Sequence, residues 1–356
     1  MSKRRSLRIL MIRLGAMGDV VHALPSLQKL REFFPESELD WVVEEEWSPL
    51  LEGHPALSHL IVLPRKRWQK SWRRRPLSTL WQVWDFLKRY RRKKYDVVLD
   101  LHGNLRSGVM ALLARSKAKF GFWRKASKEG NHRFLREVPV PLHVHKIEKN
   151  LYLLQRVFGL PFSPPSCATF PPFPPLGVEI LRWWSSIPQP RIFLHPMVSR
   201  YGQIKQWPLP FFARLAELLS LKLNAGVILG YGPGEKKQLE ELRSLIQVEV
   251  FPLPRLLSLP ELVQLLARVD FFVGCDTGNL HIASALGVPA LGLYGPKSVD
   301  IYGPYYPNAE ALFSSSRPCL PCNLRLCPYG RNISPCMEEL TPELVFAHIQ
   351  RRLERQ

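Results

Sequence analysis

RILMIRLGAMGDVVHALPSL, residues 8–27, reads as an apolar strand, a turn flanked by Gly15 and Gly18, and a helix. FFVGCDTGNLHIASALGVPALGLYGP, residues 271–296, repeats that grammar with Asp276 and His281 around its turn. Each segment places polar side chains at the carboxyl end of a strand, where open α/β sheets gather ligands. The expected fold class is therefore α/β, with two Rossmann-like domains facing each other across a cleft. The first turn has neither G-x-G-x-x-G nor P-loop spacing, so those motifs predict no nucleotide there.

Outward from these anchors, strand and helix patterns alternate. Strands are expected at Leu7–Leu14, Asp40–Glu45, 59–64 and Tyr95–Gly103, with helices near 20–34, 77–92, after Asn104 and near 146–158. Runs such as DVVLDL are apolar throughout, as strands buried on both faces of a parallel sheet are. Proline fixes φ and lacks an N–H, so the proline-rich stretch 161–178 reads as a semi-rigid linker. Strands resume at 191–196, 225–232, 248–253, 270–276 and 288–295. The expected domains are 1–160 and 179–340, followed by a C-terminal helix over 341–356 that Thr341 caps and Pro342 opens.

Apolar residues make up 46% and charged residues 22% of the 356, the balance of a globular chain with room for two cores. No apolar run approaches the roughly 20 residues that span a bilayer. The short apolar stretch near the N-terminus is interrupted by Arg13 and belongs to the first strand, so a cytoplasmic protein without a signal peptide is expected. The net charge of +20 is lopsided: residues 1–160 carry 32 Lys and Arg against 15 Asp and Glu. That asymmetry points to an anionic partner, whether nucleic acid, an acidic membrane surface or a phosphorylated substrate.

LGAMGDVVHALP, DWVVEEEW, KRWQKSW, HPMVSRYGQIKQWP and GCDTGNLHIASAL occur in this order over most of the chain. Together they resemble the ADP-heptose:lipopolysaccharide heptosyltransferase family, most of all the branch that adds the first heptose. The resemblance implies the GT-B architecture, inversion at the transferred sugar and no metal required for the chemistry. It implies an ADP-heptose donor and a Kdo-lipid A acceptor. Asp19 becomes the candidate general base for the Kdo hydroxyl, with Gly18 as an acceptor contact. Taken alone, an aspartate there is as readily a helix cap, and helix-dipole stabilisation limits its basicity.

On the donor side, the resemblance gives Ser199 and Lys205 to the pyrophosphate, the lysine meeting charge on the departing ADP. Glu235 would hold ribose hydroxyls. Thr277 and Gly278 would seat the pyrophosphate at a helix N-terminus, Asp276 would hold heptose hydroxyls, and His281 would orient the site or touch phosphate. In PRKRWQKSWRRRP, residues 64–76, it implies a mobile acceptor loop. There Arg65, Lys66, Arg67 and Lys70 would meet lipid A phosphates and Kdo carboxylates. Arg73–Arg75 and Arg91–Tyr95 would add attraction to an anionic membrane surface, giving a peripheral protein on the inner face of the inner membrane.

Cys319, Cys322, Cys327 and Cys336 have two, four and eight residues between them, a set that suits structural zinc or an iron–sulfur cluster. Reduced, uncoordinated thiols are the plainer reading. Two further functional readings stand beside the first. One keeps the family and changes the sugar or the inner-core position. The other is a basic nucleic-acid-binding module, which explains the charge but leaves Asp19 and Asp276 idle. No RNA- or DNA-binding motif is recognised, so no nucleic-acid partner is expected.

Overall fold

The computed structural model describes residues 6–163, 165–324, 326–329 and 334–355. The chain divides into two compact units, Met1–Pro172 and Phe173–Gln356. In the first unit the strands are β1 (Arg8–Ile12), β2 (Glu38–Glu44), β3 (His59–Leu63), β4 (Lys94–Asp100), β5 (Arg115–Phe122) and β6 (Arg136–Val138). They pair in the order β3-β2-β1-β4-β5-β6, all parallel. In the second unit they are β7 (Arg191–His195), β8 (Gly226–Leu229), β9 (Phe251–Pro252), β10 (Phe271–Cys275), β11 (Ala290–Tyr294) and β12 (Ala309–Phe313). Their order is β12-β11-β10-β7-β8-β9, again all parallel. Numbered within its own unit, each sheet has the doubly wound order 3-2-1-4-5-6.

The central strands are apolar along their length because helices cover both faces. Leu10, Ile12, Val42 and Val98 form the first core with Phe86 and Tyr90. Ile192, Leu194, Val227, Val273 and Leu291 anchor the second. The C-terminal helix, Pro342–Leu353, contributes Val345 and Ile349 to that second core, so it is part of the unit and not an appendage. Thr341 caps it as expected, accepting from the Leu344 N–H at 3.3 Å.

The structure departs from the expected elements in several places. The single helix expected over 20–34 is two, Met17–Val21 and Leu24–Phe33. Pro25 lies in the first turn of the second, where its missing N–H is harmless, whereas mid-helix it would leave a carbonyl unpaired. β5, β6 and β12 had no clear signal. β5 reads RSKAKFGF, with Arg115, Lys117 and Lys119 at alternate positions, because it is only partly buried. The proline-rich stretch is divided between the units. Ser163 and Thr169 bond to Lys29 and Gln28 in the first, while the Pro174 carbonyl accepts from Gln264 in the second.

Trp207 is fully buried in the second core, and its indole N–H donates to the Leu340 carbonyl at 2.8 Å. Trp207→Ala should cost about 3–5 kcal/mol in denaturant unfolding. Trp207→Phe keeps most of the packing but leaves that carbonyl unpaired, and should cost about 1–3 kcal/mol.

Candidate active site

In the first unit the strand order turns back between β1 and β4, and the segments leaving their carboxyl ends meet. Arg13 follows β1, is nearly buried, and donates to the Leu101 carbonyl beyond β4. The next turn is tight: a Cβ on Gly15 would lie 2.6 Å from the Trp47 indole nitrogen. It delivers Asp19 within the Met17–Val21 helix, with Gly18 beside it in the same turn.

Asp19 Oδ1 takes two cations, Arg13 at 2.7 Å and Lys146 at 2.6 Å, the lysine opening the Lys146–Phe158 helix. Oδ2 accepts no hydrogen bond among the described residues, and 24% of the side chain is exposed. Burial by itself would raise this carboxyl. Arg13 and then Lys146 outweigh it and hold Asp19 well below the usual carboxylate range. Around the pair, His102 is kept neutral, pushed down to about 3 by burial and then by Arg13. Lys149 is pushed down to about 8 by burial and by the neighbouring Arg13 and Lys146. Buried Asp100 accepts from Ser107, Asn131 and the N–H groups of His102 and Gly103, fixing the loop that carries His102. Arg13, Lys146 and Lys149 crowd around Asp19 here, so this edge favours an anionic ligand.

In the second unit the corresponding reversal lies between β7 and β10. Asp276 follows β10. Its backbone carbonyl and Oδ2 accept from Lys205 at 2.7 and 3.0 Å, and its Oδ1 lies 3.3 Å from His281 Nε2. Burial opposes ionisation, but His281 and Lys205 bring Asp276 down to about 2, so it is a carboxylate. Thr277 is the N-cap of the Gly278–Ala285 helix yet makes no side-chain cap bond. Its hydroxyl and the Asn279 side-chain oxygen are buried without hydrogen-bond partners among the described residues. Open backbone N–H groups, an orphan hydroxyl and an adjacent lysine make an anion-binding corner.

The structure thus brings together Lys205, Asp276, Thr277, Gly278 and His281, as the sequence grouped them. Ser199 stands at the N-cap position of the short helical turn Arg200–Lys205 that carries the lysine, with no side-chain cap bond among the described residues. Glu235 stands after β8, where Oε2 accepts from the Gly232 N–H at 2.6 Å; burial raises its pKa.

The expected acceptor loop is not a loop. Arg65–Trp72 is a helix, because no glycine or proline interrupts the good helix formers between Pro64 and Pro76. Three of its four named cations are already engaged. Arg65 grips Glu44 at 2.6 and 3.1 Å, Lys66 pairs with Glu46, and Arg67 pairs with Glu45. Lys70 makes no ion pair among the described residues. A cavity of about 660 Å³ opens beside β3, walled by Asp40, His59, Trp68 and Trp81, away from the Asp19 edge.

Cys336 is buried, with its sulfur 2.7 Å from where a Cβ on Gly295 would stand, and Cys322 lies 3.8 Å from the Pro296 carbonyl. Burial, then the neighbouring Cys322, Cys327 and Cys319, push the Cys336 thiol up to about 11. The four thiols share one neighbourhood. Among the described residues, no three Cys, His, Asp or Glu side chains converge tightly enough to hold a metal.

Sequence reading missed Arg13 and Lys146 as partners of Asp19. Arg13 had a signal, a charge at the end of an apolar strand. Lys146 had none, being 127 positions away.

Two parallel sheets of this order, each closed by a cation-rich carboxyl edge, are the two halves of the GT-B architecture. The profile of glycosyltransferase family 9 (heptosyltransferase) matches residues 83–332, and the chain belongs to that family. It is 28% identical to lipopolysaccharide heptosyltransferase 1 of Pseudomonas aeruginosa, with 98% of each chain covered. The fold is shared with Escherichia coli heptosyltransferase WaaC solved with ADP, at TM-score 0.74 and 24% identity over 97% of this chain and 100% of that one. It is shared equally with Escherichia coli ADP-heptose lps heptosyltransferase II, at TM-score 0.74 and 20% identity over 98% and 99%.

Because folding lowers the Asp19 pKa, the ionised carboxylate contributes stability above its unfolded value of about 3.9. That contribution disappears as pH falls through the lower folded value. Lys146→Met raises the folded value and shrinks the contribution. The stability gap between wild type and variant, followed by chemical denaturation, should therefore be widest near neutrality and close only as pH falls through the variant's folded value towards the lower wild-type one.

Proposed function

We propose that the protein is an inverting transferase that moves L-glycero-D-manno-heptose from ADP-heptose to the Kdo region of lipid A. The reading rests on Asp19: a carboxylate whose second oxygen accepts no hydrogen bond among the described residues, set among cations suited to an acidic acceptor. Asp19 Oδ2 takes the proton of the attacking Kdo hydroxyl. ADP departs towards Lys205 and the N–H groups at Thr277 and Gly278, which meet the charge developing on its pyrophosphate. His281 acts through Asp276, fixing the carboxylate that holds heptose hydroxyls. Glu235 has Oε1 for the ribose.

A carboxylate held this far below its usual range is a weak base. Acceptor carboxylates and phosphates remedy this by drawing Lys146 and Arg13 away from Oδ1, which raises Asp19 as the hydroxyl arrives. Base strength is then coupled to the presence of the acceptor, which restrains wasteful hydrolysis of the donor. The first heptose is favoured over a later one by the relatives named heptosyltransferase 1 and by the cationic segment at 64–76. Addition of the second heptose is the alternative, since a heptosyltransferase II shares the fold to the same degree. The enzyme would work at the inner face of the inner membrane; among the described residues no helix is long and apolar enough to cross a membrane.

With ADP-heptose and Kdo-lipid A, wild type should form product, and Asp19→Asn should lose about 10²–10⁴ in rate while ADP still raises its melting temperature. Similar rates from both would remove Asp19 as the base. Product only on an acceptor that already carries one heptose would select the second reading. Lys205→Ala should instead weaken the ADP-induced thermal shift.

The gathered cysteines support a separate structural proposal, zinc held by Cys319, Cys322, Cys327 and Cys336 after a local rearrangement that draws the thiols together. Elemental analysis should find about one zinc per chain, and chelation should lower the melting temperature. Metal-free protein with an unchanged melting temperature would return these residues to free thiols.

A further inference from the structure

The helix Pro76–Tyr90 is apolar on two opposite faces, although only one of them meets the core. Thr79, Phe86 and Tyr90 turn inward and are buried. Leu77, Leu80, Trp81 and Trp84 recur at the spacing of one helical face and are exposed, Leu77 by 81%, Trp81 by 66% and Trp84 by 58%. Trp72, half-exposed at the end of the preceding helix, lies just upstream. A folded chain rarely leaves so large an apolar patch to water without a partner.

Cations bracket this patch. Arg73, Arg74 and Arg75 precede it, and Lys88 and Arg92 follow it, none of them in an ion pair among the described residues. Lys88 continues the outward face one turn beyond Trp84 and lies 5.1 Å from its ring centroid. Arg89, by contrast, is paired with Asp85 at 2.9 Å.

We propose that the outward face of the Pro76–Tyr90 helix docks this protein on an anionic lipid surface. Trp81, Trp84, Leu77 and Leu80 enter the headgroup boundary, and the flanking arginines and lysine meet lipid phosphates. Tryptophan suits that boundary because its ring is apolar and its N–H is not. A second copy of the chain fits less well. A two-fold contact on this face would set Arg73–Arg75 against the cations of the partner's helix, whether the helices ran parallel or antiparallel. The inference takes its purpose from the proposed lipid-linked acceptor, but the surface is independent of the chemistry at Asp19.

The test is cosedimentation of the full chain with phosphatidylethanolamine–phosphatidylglycerol vesicles and with phosphatidylcholine vesicles. Wild type should favour the anionic vesicles by at least about tenfold, and the preference should weaken with salt. Trp81→Ser combined with Trp84→Ser removes two exposed side chains, so folding is retained, and should lower partition by at least about tenfold. Arg73→Gln, Arg74→Gln and Arg75→Gln together should lower it by roughly a hundredfold, about fivefold for each charge. Equal, weak binding to both vesicles, or tryptophan variants that bind like wild type, would overturn the proposal. So would a dimer, seen by sedimentation velocity, that disappears in the tryptophan variant while vesicle binding is absent. Transfer to a detergent-dispersed acceptor separates the two readings. Vesicle binding without transfer leaves the docking surface standing and removes the acceptor; transfer without vesicle binding does the reverse.

Discussion

A parallel sheet covered on both faces by helices has no wet surface along its strands, so its polar chemistry is confined to the ends. The central strands of both sheets obey that constraint, and at both carboxyl edges it creates the same electrostatic problem. A carboxylate must sit where water is scarce, and isolated burial of its charge is costly. At Asp19 the charge is balanced by Arg13 and Lys146, and at Asp276 by Lys205 and His281. Each site therefore carries its counterions before any ligand arrives. Ligand binding is an exchange of partners, in which anionic groups compete with the protein's own carboxylates for a fixed set of cations.

The same principle sorts the cations of the Arg65–Trp72 helix. Arg65 shares Glu44 with Arg106, and Glu44 is largely buried, so that contact is part of the scaffold. Lys66–Glu46 and Arg67–Glu45 lie at the surface, where ion pairs contribute little and re-form easily. Those two lysine and arginine heads are available for exchange with an acidic ligand in a way that Arg65 is not. A cluster that looks uniform in sequence is thus divided by burial of its partners.

The fold was legible because the strands on either side of each reversal are apolar throughout and end in polar turns; RILMI and FFVGC could hardly be anything else. β5 and β12 were not legible, since partly buried outer strands carry mixed side chains. Within the site, residues next to a strand end were visible in the sequence: Asp19, Asp276, Thr277 and Gly278. Lys146 was invisible because its role arises from where the Lys146–Phe158 helix packs, and no local pattern encodes that. The helix at 65–72 was overlooked because its dense charge reads as solvated loop, although Trp68 ties it to Phe86 at 5.4 Å between ring centroids.

The divided proline-rich passage has a consequence for descent. Its early residues are bonded to one unit and its later ones to the other, so the boundary falls within a stretch that neither hydrogen-bonded ladder crosses. The two sheets repeat one strand order without sharing a strand. Mutations at one carboxyl edge are therefore not transmitted to the other through backbone pairing. A lineage built on this plan is free to drift in what one half recognises while selection holds the other half constant, and recombination near Pro172 would exchange whole specificities and not fragments of them.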